Sequence, residues 1–70
     1  MQYMANSIGH QIRERRKDLK INQDKLAQLS GIGLNSLSRL ESGKGNPTLE
    51  SLQKIAEVLG FELKFVVKEK

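Results

Sequence analysis

The sequence contains no cysteine and no tryptophan, and no apolar run in it approaches the length of a membrane span. Without cysteine, the chain has no disulfide and no thiolate metal site, and nothing in its composition argues for secretion. No signal-peptide pattern opens the chain, so we expect a cytoplasmic protein. The 70 residues allow one small domain. A core of that size is marginal unless a second chain covers further apolar surface.

Groups that carry catalysis or bind metals are also scarce. The sequence has no nucleophile–base pair, no carboxylate cluster and no glycine-rich loop between a strand and a helix, so we expect neither an enzyme nor a cofactor. His10 is the single histidine and is expected on the surface, not at a metal. The net charge is +4, with six basic and three acidic residues among the first 25. This excess favours a polyanionic partner only slightly, because many solvated surfaces carry as much.

Residues 22–43 predict two short helices joined by a tight turn. Asn22 is a good N-cap for the first helix, and Gly31 suits the left-handed position that ends it. Gly33 can serve as the next N-cap. Helices joined this closely must cross at a steep angle, and Ala27 is small enough to let the two backbones approach. This is helix-turn-helix geometry.

The second helix of the pair, predicted over residues 33–42, has two unlike faces. At about 100° per residue, its inner side carries Leu37, Leu40 and Glu41. Its outer side carries one leucine, an amide, hydroxyls and a guanidinium, on Leu34, Asn35, Ser38, Arg39 and Ser42. Asn and Arg side chains can make bidentate contacts to base edges in the major groove. From this helix alone, an ordinary solvated face fits equally well.

A first helix is predicted from Asn6 or Ser7 to about Leu19, with residues 1–6 as a flexible terminus. Its basic residues either approach phosphates or lie on a solvated face; they are Arg13, Arg15, Arg16, Lys17 and Lys20. Glu41 lies at the inner edge of the outer helix, where an unpaired carboxylate would be costly. A guanidinium is the natural partner for such a carboxylate.

Residues 44–47 combine a cation, an amide and exposed backbone N–H groups, which suit phosphate contact, although a plain turn fits them as well. Thr48 is expected to cap a fourth helix and Gly60 to end it. The inner face of that helix is predicted to carry Leu49, Leu52, Ile55, Ala56 and Leu59, with Val58 at its edge.

The period of the pattern changes after Gly60. Phe61, Leu63, Phe65 and Val67 alternate with Glu62, Lys64, Val66 and Lys68, which predicts a strand. A lone strand leaves its backbone groups unpaired, so pairing with the same strand of a second copy is the simplest solution. The predicted dimer interface is Val58, Phe61, Leu63, Phe65 and Val67. The alternative is a flexible tail that packs Phe61 and Leu63 on the fourth helix.

Over residues 8–60, the chain resembles the lambda-repressor-like (Cro/repressor, XRE-type) helix-turn-helix family. The resemblance is carried by the segments Gln23-x-x-Leu26-Ala27, Leu37-Ser38-Arg39-Leu40-Glu41-x-Gly43 and Pro47-Thr48-Leu49-x-x-Leu52. It implies an all-α fold, with a compact four-helix DNA-binding domain over residues 7–60. Residues 61–70 are expected to form a C-terminal strand or tail for dimerisation. Many relatives have a fifth helix there, and the strand tail is more similar to the HipB-like antitoxins.

The resemblance also implies roles for individual residues. The expected base-reading residues are Gln23, Leu34, Asn35, Ser38 and Arg39. The expected phosphate contacts are Asn22, Gln23, Ser42, Lys44 and Asn46, and the loop over residues 44–47 is expected to follow the DNA backbone. Arg16 and Glu41 match an ion pair of the family. Leu34 departs from the polar residue that relatives often carry and could contact a thymine methyl group.

Two functions remain open at this point. The first is a sequence-specific, DNA-binding transcriptional regulator, a homodimeric repressor of a palindromic operator. The second is an antitoxin that binds and neutralises a toxin protein and regulates its own operon. The polar groups of the outer helix favour DNA, whereas the exposed Leu34 and the strand tail leave room for a protein partner.

Overall fold

The computed structural model describes residues 3–68, with side chains from residue 8 onward. Its helices are α1 (Tyr3–Asp18), α2 (Gln23–Ser30), α3 (Leu34–Glu41) and α4 (Leu49–Leu59). The predicted all-α architecture of four helices is therefore confirmed. None of these described helices is long and apolar enough to cross a membrane.

Helix α1 begins earlier than predicted. Its first residue is Tyr3, whereas the capping pattern had placed the start at Asn6 or Ser7. Methionine and alanine are good helix formers, and Met4 and Ala5 allow the helix to extend towards the N-terminus. Residues 1 and 2 lie outside the described residues, and the flexibility of residues 1–6 stays a prediction.

The ends of the other helices follow from local capping chemistry. The Asn22 side chain accepts a hydrogen bond from the Lys25 N–H at 2.8 Å, at the start of α2. The Thr48 hydroxyl accepts one from the backbone N–H three residues later at 3.0 Å, at the start of α4. Gly31 and Gly60 adopt φ angles of 74° and 80° and end α2 and α4 in the left-handed conformation. The predicted caps are thus confirmed.

All four helices contribute to one small core. Its buried apolar members are Ile12, Leu26, Ala27, Leu37, Leu40, Ile55 and Leu59. Leu52 and Val58 are partly buried and pack against this cluster. The prediction for Leu49 was wrong, because its side chain is 56% exposed. As the first residue of α4, Leu49 lies at the start of the helix, whereas the buried residues of α4 lie in its later turns, at Ile55, Ala56 and Leu59.

Helices α1 and α3 approach closely at Gly9, which is buried in the interior of α1. A Cβ atom at this position would overlap the carbonyl oxygen of Leu40 and lie 3.2 Å from that of Glu41. Glycine in the middle of a helix costs about 1 kcal/mol relative to alanine. Here it allows the α1 backbone to contact the last turn of α3, which fixes the position of α3 on the domain.

The predicted C-terminal strand is absent from the described residues. Residues 61–68 form neither helix nor strand, and residues 69 and 70 lie outside the described part. Strand hydrogen bonds need a second strand, and the described part of a single chain offers none. Phe61 and Leu63 lie beside α4 and Ile8 and are 37% and 42% exposed. The tail thus matches the alternative in which these two side chains pack on the fourth helix.

Candidate nucleic-acid interface

Helix α3 presents a polar face between two surface grooves. Leu37, Leu40 and Glu41 are buried on its inner side, as its periodicity predicted. The predicted outer residues Leu34, Asn35, Ser38 and Arg39 are exposed, and Leu34 keeps 44% of its surface accessible. Gly33 precedes the helix and contributes no side chain to its N-terminus. The first turn of α3 is therefore accessible to a macromolecular ligand.

The structure brings Arg16 and Glu41 together as an ion pair. Arg16 Nε donates to Glu41 Oε2 at 2.8 Å, and Arg16 Nη2 donates to Glu41 Oε1 at 2.9 Å. The two side chains are only 11% and 3% exposed. A third bond, from Arg16 Nη1 to the Ile21 carbonyl oxygen at 2.9 Å, ties the guanidinium to the segment between α1 and α2. The pair therefore joins α1, the segment between α1 and α2, and the end of α3.

The ion pair changes the protonation behaviour of both partners. Burial alone would raise the pKa of Glu41, but hydrogen bonds from Arg16 and Gln23 and the charges of Arg16 and Arg13 outweigh it. The pKa of Glu41 is consequently lower than usual. The hydrogen bond to Glu41 raises the pKa of Arg16. Both groups are charged at neutral pH.

Gln23 is attached to this pair. Its Nε2 donates to Glu41 Oε1 at 3.0 Å, and its side chain is partly buried at the first position of α2. The resemblance had implied a contact of Gln23 with a phosphate and a base edge, without a partner inside the protein. The bond to Glu41 places the Gln23 amide at the edge of the outer face of α3.

The first groove runs along the α1 and α2 side of α3. Besides the ion pair, it is lined by Arg13, Lys17, Gln23, Ser38 and Ser42. The Ser42 hydroxyl is bonded within α3, to the carbonyl oxygens of Ser38 at 2.9 Å and Arg39 at 3.2 Å. To donate to a phosphate, this hydroxyl would have to leave those acceptors.

The second groove lies between α3 and the loop that leads to α4. Arg39, Lys44 and Asn46 line it together with Ser36. The Lys44 N–H donates to the Arg39 carbonyl oxygen at 2.8 Å, which holds the loop against the end of α3. A Cβ atom on Gly45 would lie 3.5 Å from Arg39 Cβ. The loop backbone therefore runs directly beside the Arg39 side chain.

The basic run of α1 divides between structural and surface positions. Arg15 donates from Nε to the Leu59 carbonyl oxygen at 2.8 Å and so joins α1 to the end of α4. Arg16 is occupied by Glu41. Arg13 and Lys17 face the first groove. The prediction from the sequence did not separate these two residues from the other basic residues of α1. Their four-residue spacing, which puts both on one side of a helix, was the available signal.

Comparisons with known proteins agree with this geometry. The helix-turn-helix family model matches residues 12–66. The chain is 30% identical to the immunity repressor protein of Bacillus phage phi105 over 63 residues, covering 90% of this chain and 44% of that protein. It is 40% identical to the transcriptional repressor RstR of cryptic phage CTXphi in Vibrio cholerae over 52 residues, covering 74% and 46%.

A third relative is the HTH-type transcriptional repressor RghR of Bacillus subtilis. The identity is 39% over 54 residues, covering 76% of this chain and 40% of that protein. The chain thus spans less than half the length of these three relatives. The family match over residues 12–66 includes α2 to α4 and the residues that line both grooves.

Proposed function

This chain belongs to the lambda-repressor-like (XRE-type) helix-turn-helix family, and from that premise we propose that it is a sequence-specific DNA-binding transcriptional regulator. The observation that carries the proposal is the accessible face of α3, which offers an amide, a hydroxyl and a guanidinium between two grooves that contain cations. Such a helix fits the major groove of B-DNA, while flanking cations fit the phosphates on either side.

In this arrangement the two grooves hold opposite DNA strands. Arg13 and Lys17, with Asn22 and Gln23 at the start of α2, face one phosphate backbone. Lys44 and Asn46 face the other. Phosphate contacts set the position of the domain, and the base edges supply specificity through Leu34, Asn35, Ser38 and Arg39. The Gln23 amide, at the edge of this face, contacts a base edge as well as a phosphate.

The direct test compares Arg39→Ala with Lys44→Ala on a site selected from a random DNA pool. Arg39→Ala should cost about 1–3 kcal/mol on the preferred site and relax the preference at one base pair, because a bidentate base contact is lost. Lys44→Ala should weaken preferred and random duplexes about equally, because it removes a phosphate contact. Equilibrium binding to both duplexes measures the difference.

Two results would argue against this role. If no sequence is enriched from the pool, then sequence-specific binding is wrong. If Arg39→Ala leaves affinity and preference intact, α3 does not read bases through this residue. Gln53→Ala is a suitable control, since Gln53 is exposed on α4 and lines neither groove.

Leu34 suggests a thymine in each half-site. Its exposed side chain is the apolar group of the reading face, and the C5-methyl group of thymine is the apolar feature of the major groove. Deoxyuridine lacks the C5-methyl group, so replacing one thymine of the selected site with it should lower the affinity several-fold. The corresponding free energy is ~0.8 kcal/mol, the value for one buried carbon group. Leu34→Ala should bind both sites equally. Equal sensitivity of the variant and the original protein would contradict the contact.

We also propose that the regulator acts as a homodimeric repressor. Phe65 and Val67 are 95% and 89% exposed, and they continue the alternating sequence pattern that begins with Phe61 and Leu63. Two tails that pair across a two-fold axis would bury these side chains and complete the backbone bonds that one chain leaves open. Val58 would lie at the edge of that interface. The antitoxin alternative, with a toxin protein as partner, has no comparable support, since the three relatives above are named as repressors.

The dimer can be tested without shortening the chain. Phe65→Ser with Val67→Ser should give a monomer by sedimentation and weaken binding to a palindrome far more than to a half-site. The reason is that the dimer spaces its two recognition helices about one helical turn, ~34 Å, apart. Val66→Ser is the matched control, because residue 66 is on the opposite side of the alternating pattern. An unsubstituted chain that stays monomeric at micromolar concentration would refute the dimer.

A further inference from the structure

The hydrogen bond between Gln23 and Glu41 determines which group of the Gln23 amide faces the carboxylate. Glu41 is an ionised carboxylate and can only accept hydrogen bonds, so the side-chain group that faces it must be a donor. Gln23 Nε2 lies 3.0 Å from Glu41 Oε1. The opposite orientation would place the Gln23 oxygen against this carboxylate, with two acceptors in contact. Glu41 therefore selects one of the two orientations of the amide.

The carboxylate itself cannot turn to accommodate the other orientation. Arg16 bonds both of its oxygens, at 2.8 and 2.9 Å, and only 3% of the Glu41 side chain is exposed. Arg16 is held in turn by the Ile21 carbonyl oxygen. The Ile21 carbonyl oxygen thus holds Arg16, Arg16 holds Glu41, and Glu41 holds the Gln23 amide. The Gln23 side chain lines the first groove.

We propose that Glu41 is a positioning residue, which fixes the amide of Gln23 so that its carbonyl oxygen and one remaining N–H meet the DNA in a set order. The role in binding rests on the proposed function. An unrestrained glutamine can rotate its amide to suit either a donor or an acceptor. A fixed amide cannot, so the ion pair at the end of α3 contributes to discrimination as well as to stability.

The fixed orientation can be tested in the free protein by NMR. The Gln23 side-chain amide signals should shift in acid as Glu41 protonates, because the acceptor of their hydrogen bond changes. Gln28, which is exposed on α2, is the matched control and should not follow this titration. Arg13, Arg16 and Lys17 are cationic side chains that face the same carboxylate or its groove. His10 lines a pocket with Glu41 on this side, and a His10→Ala background removes the imidazole from the experiment.

The consequence for binding is tested by a double-mutant cycle on the selected DNA site. Gln23→Ala should weaken specific binding about tenfold, within the range of one good polar contact. Glu41→Gln keeps an acceptor for Arg16 but also puts an amide donor beside Gln23. It should therefore cause a similar loss, with little change on random duplexes. The double variant should be no weaker than either single variant, since both changes remove the same contact. Circular dichroism establishes that each variant is folded before its binding is compared.

The outcomes separate this inference from the proposed function. If the losses multiply to about a hundredfold, Glu41 and Gln23 act independently and the positioning role is wrong. If the side-chain amide signals of Gln23 shift in acid no more than those of Gln28, the Gln23 amide is not fixed by Glu41. If the original protein binds no duplex, the proposed function fails, and the NMR titration still decides whether the amide is fixed.

Discussion

Glu41→Ala is expected to destabilise the fold by about 3–5 kcal/mol, because it leaves the buried guanidinium of Arg16 without its partner. A domain of this size is typically stable by only about 4–10 kcal/mol, so the variant should be close to unfolding at ambient temperature. Arg16 donates both bonds of the pair and is only 11% exposed, so water cannot fully replace the lost carboxylate. Chemical denaturation of the variant measures the loss.

The control is an exposed ion pair on the same domain. Lys54 Nζ lies 3.7 Å from Glu50 Oε2 on the surface of α4, and both side chains are exposed to water. Glu50→Ala should change stability by less than about 1 kcal/mol, as exposed pairs do. For the buried pair, the double variant Arg16→Ala with Glu41→Ala should lose less than the sum of the single losses. Additive losses would mean that the two residues do not stabilise each other.

The same pair makes the fold sensitive to acid. The pKa of Glu41 is lower in the folded chain than in the unfolded one, so its stabilising contribution is complete above the unfolded pKa of about 4.3. As the pH falls, the unfolded state binds a proton before the folded state does, and the contribution is lost by the time the folded pKa is passed. The stability difference between the original protein and Glu41→Gln should therefore shrink in acid.

The helices were predictable because their ends are defined by local chemistry. Asn22 and Thr48 accept hydrogen bonds from N–H groups three residues away, and Gly31 and Gly60 adopt positive φ angles that most residues avoid. None of these features needs information from the rest of the fold. The inner and outer faces of α3 follow in the same way, since the helical period alone separates Leu37, Leu40 and Glu41 from the accessible residues.

What could not be predicted depends on contacts between distant parts of the chain. The basic run of α1 has no periodic feature that assigns Arg15 to the end of α4, and only the family resemblance paired Arg16 with Glu41. The direction of the Gln23 amide depends on a carboxylate 18 residues away. The strand after Gly60 was predicted but does not form among the described residues. A period of two in the sequence indicates only which side chains would share a side of an extended chain. A strand also requires a second strand, which the described part of one chain does not supply.

The hydrophobic pattern of α1 does not mark Gly9 as a contact residue. A glycine inside a predicted helix is nevertheless a signal, because such a residue often has a packing role. Gly9→Ala should destabilise the fold by about 3 kcal/mol, at the upper end of overpacking substitutions, because the new methyl group would overlap the Leu40 carbonyl oxygen. Backbone atoms cannot rotate away as a side chain can, so α1 must move off α3. That movement would also disturb the bonds from Arg16 to Glu41. Thermal and chemical denaturation measure the loss.

The sign of the effect separates this contact from helix propensity. In an unobstructed helix, replacing glycine with alanine is worth about 1 kcal/mol of stabilisation. His10→Ala, at the next position of α1, is the matched control, because His10 is exposed and the change should be nearly neutral or slightly stabilising. If Gly9→Ala is also neutral or stabilising, the two helices do not approach as closely as the structure has them. If it is strongly destabilising, and DNA binding weakens in proportion to the unfolded fraction, then Gly9 supports DNA binding through the stability of the fold.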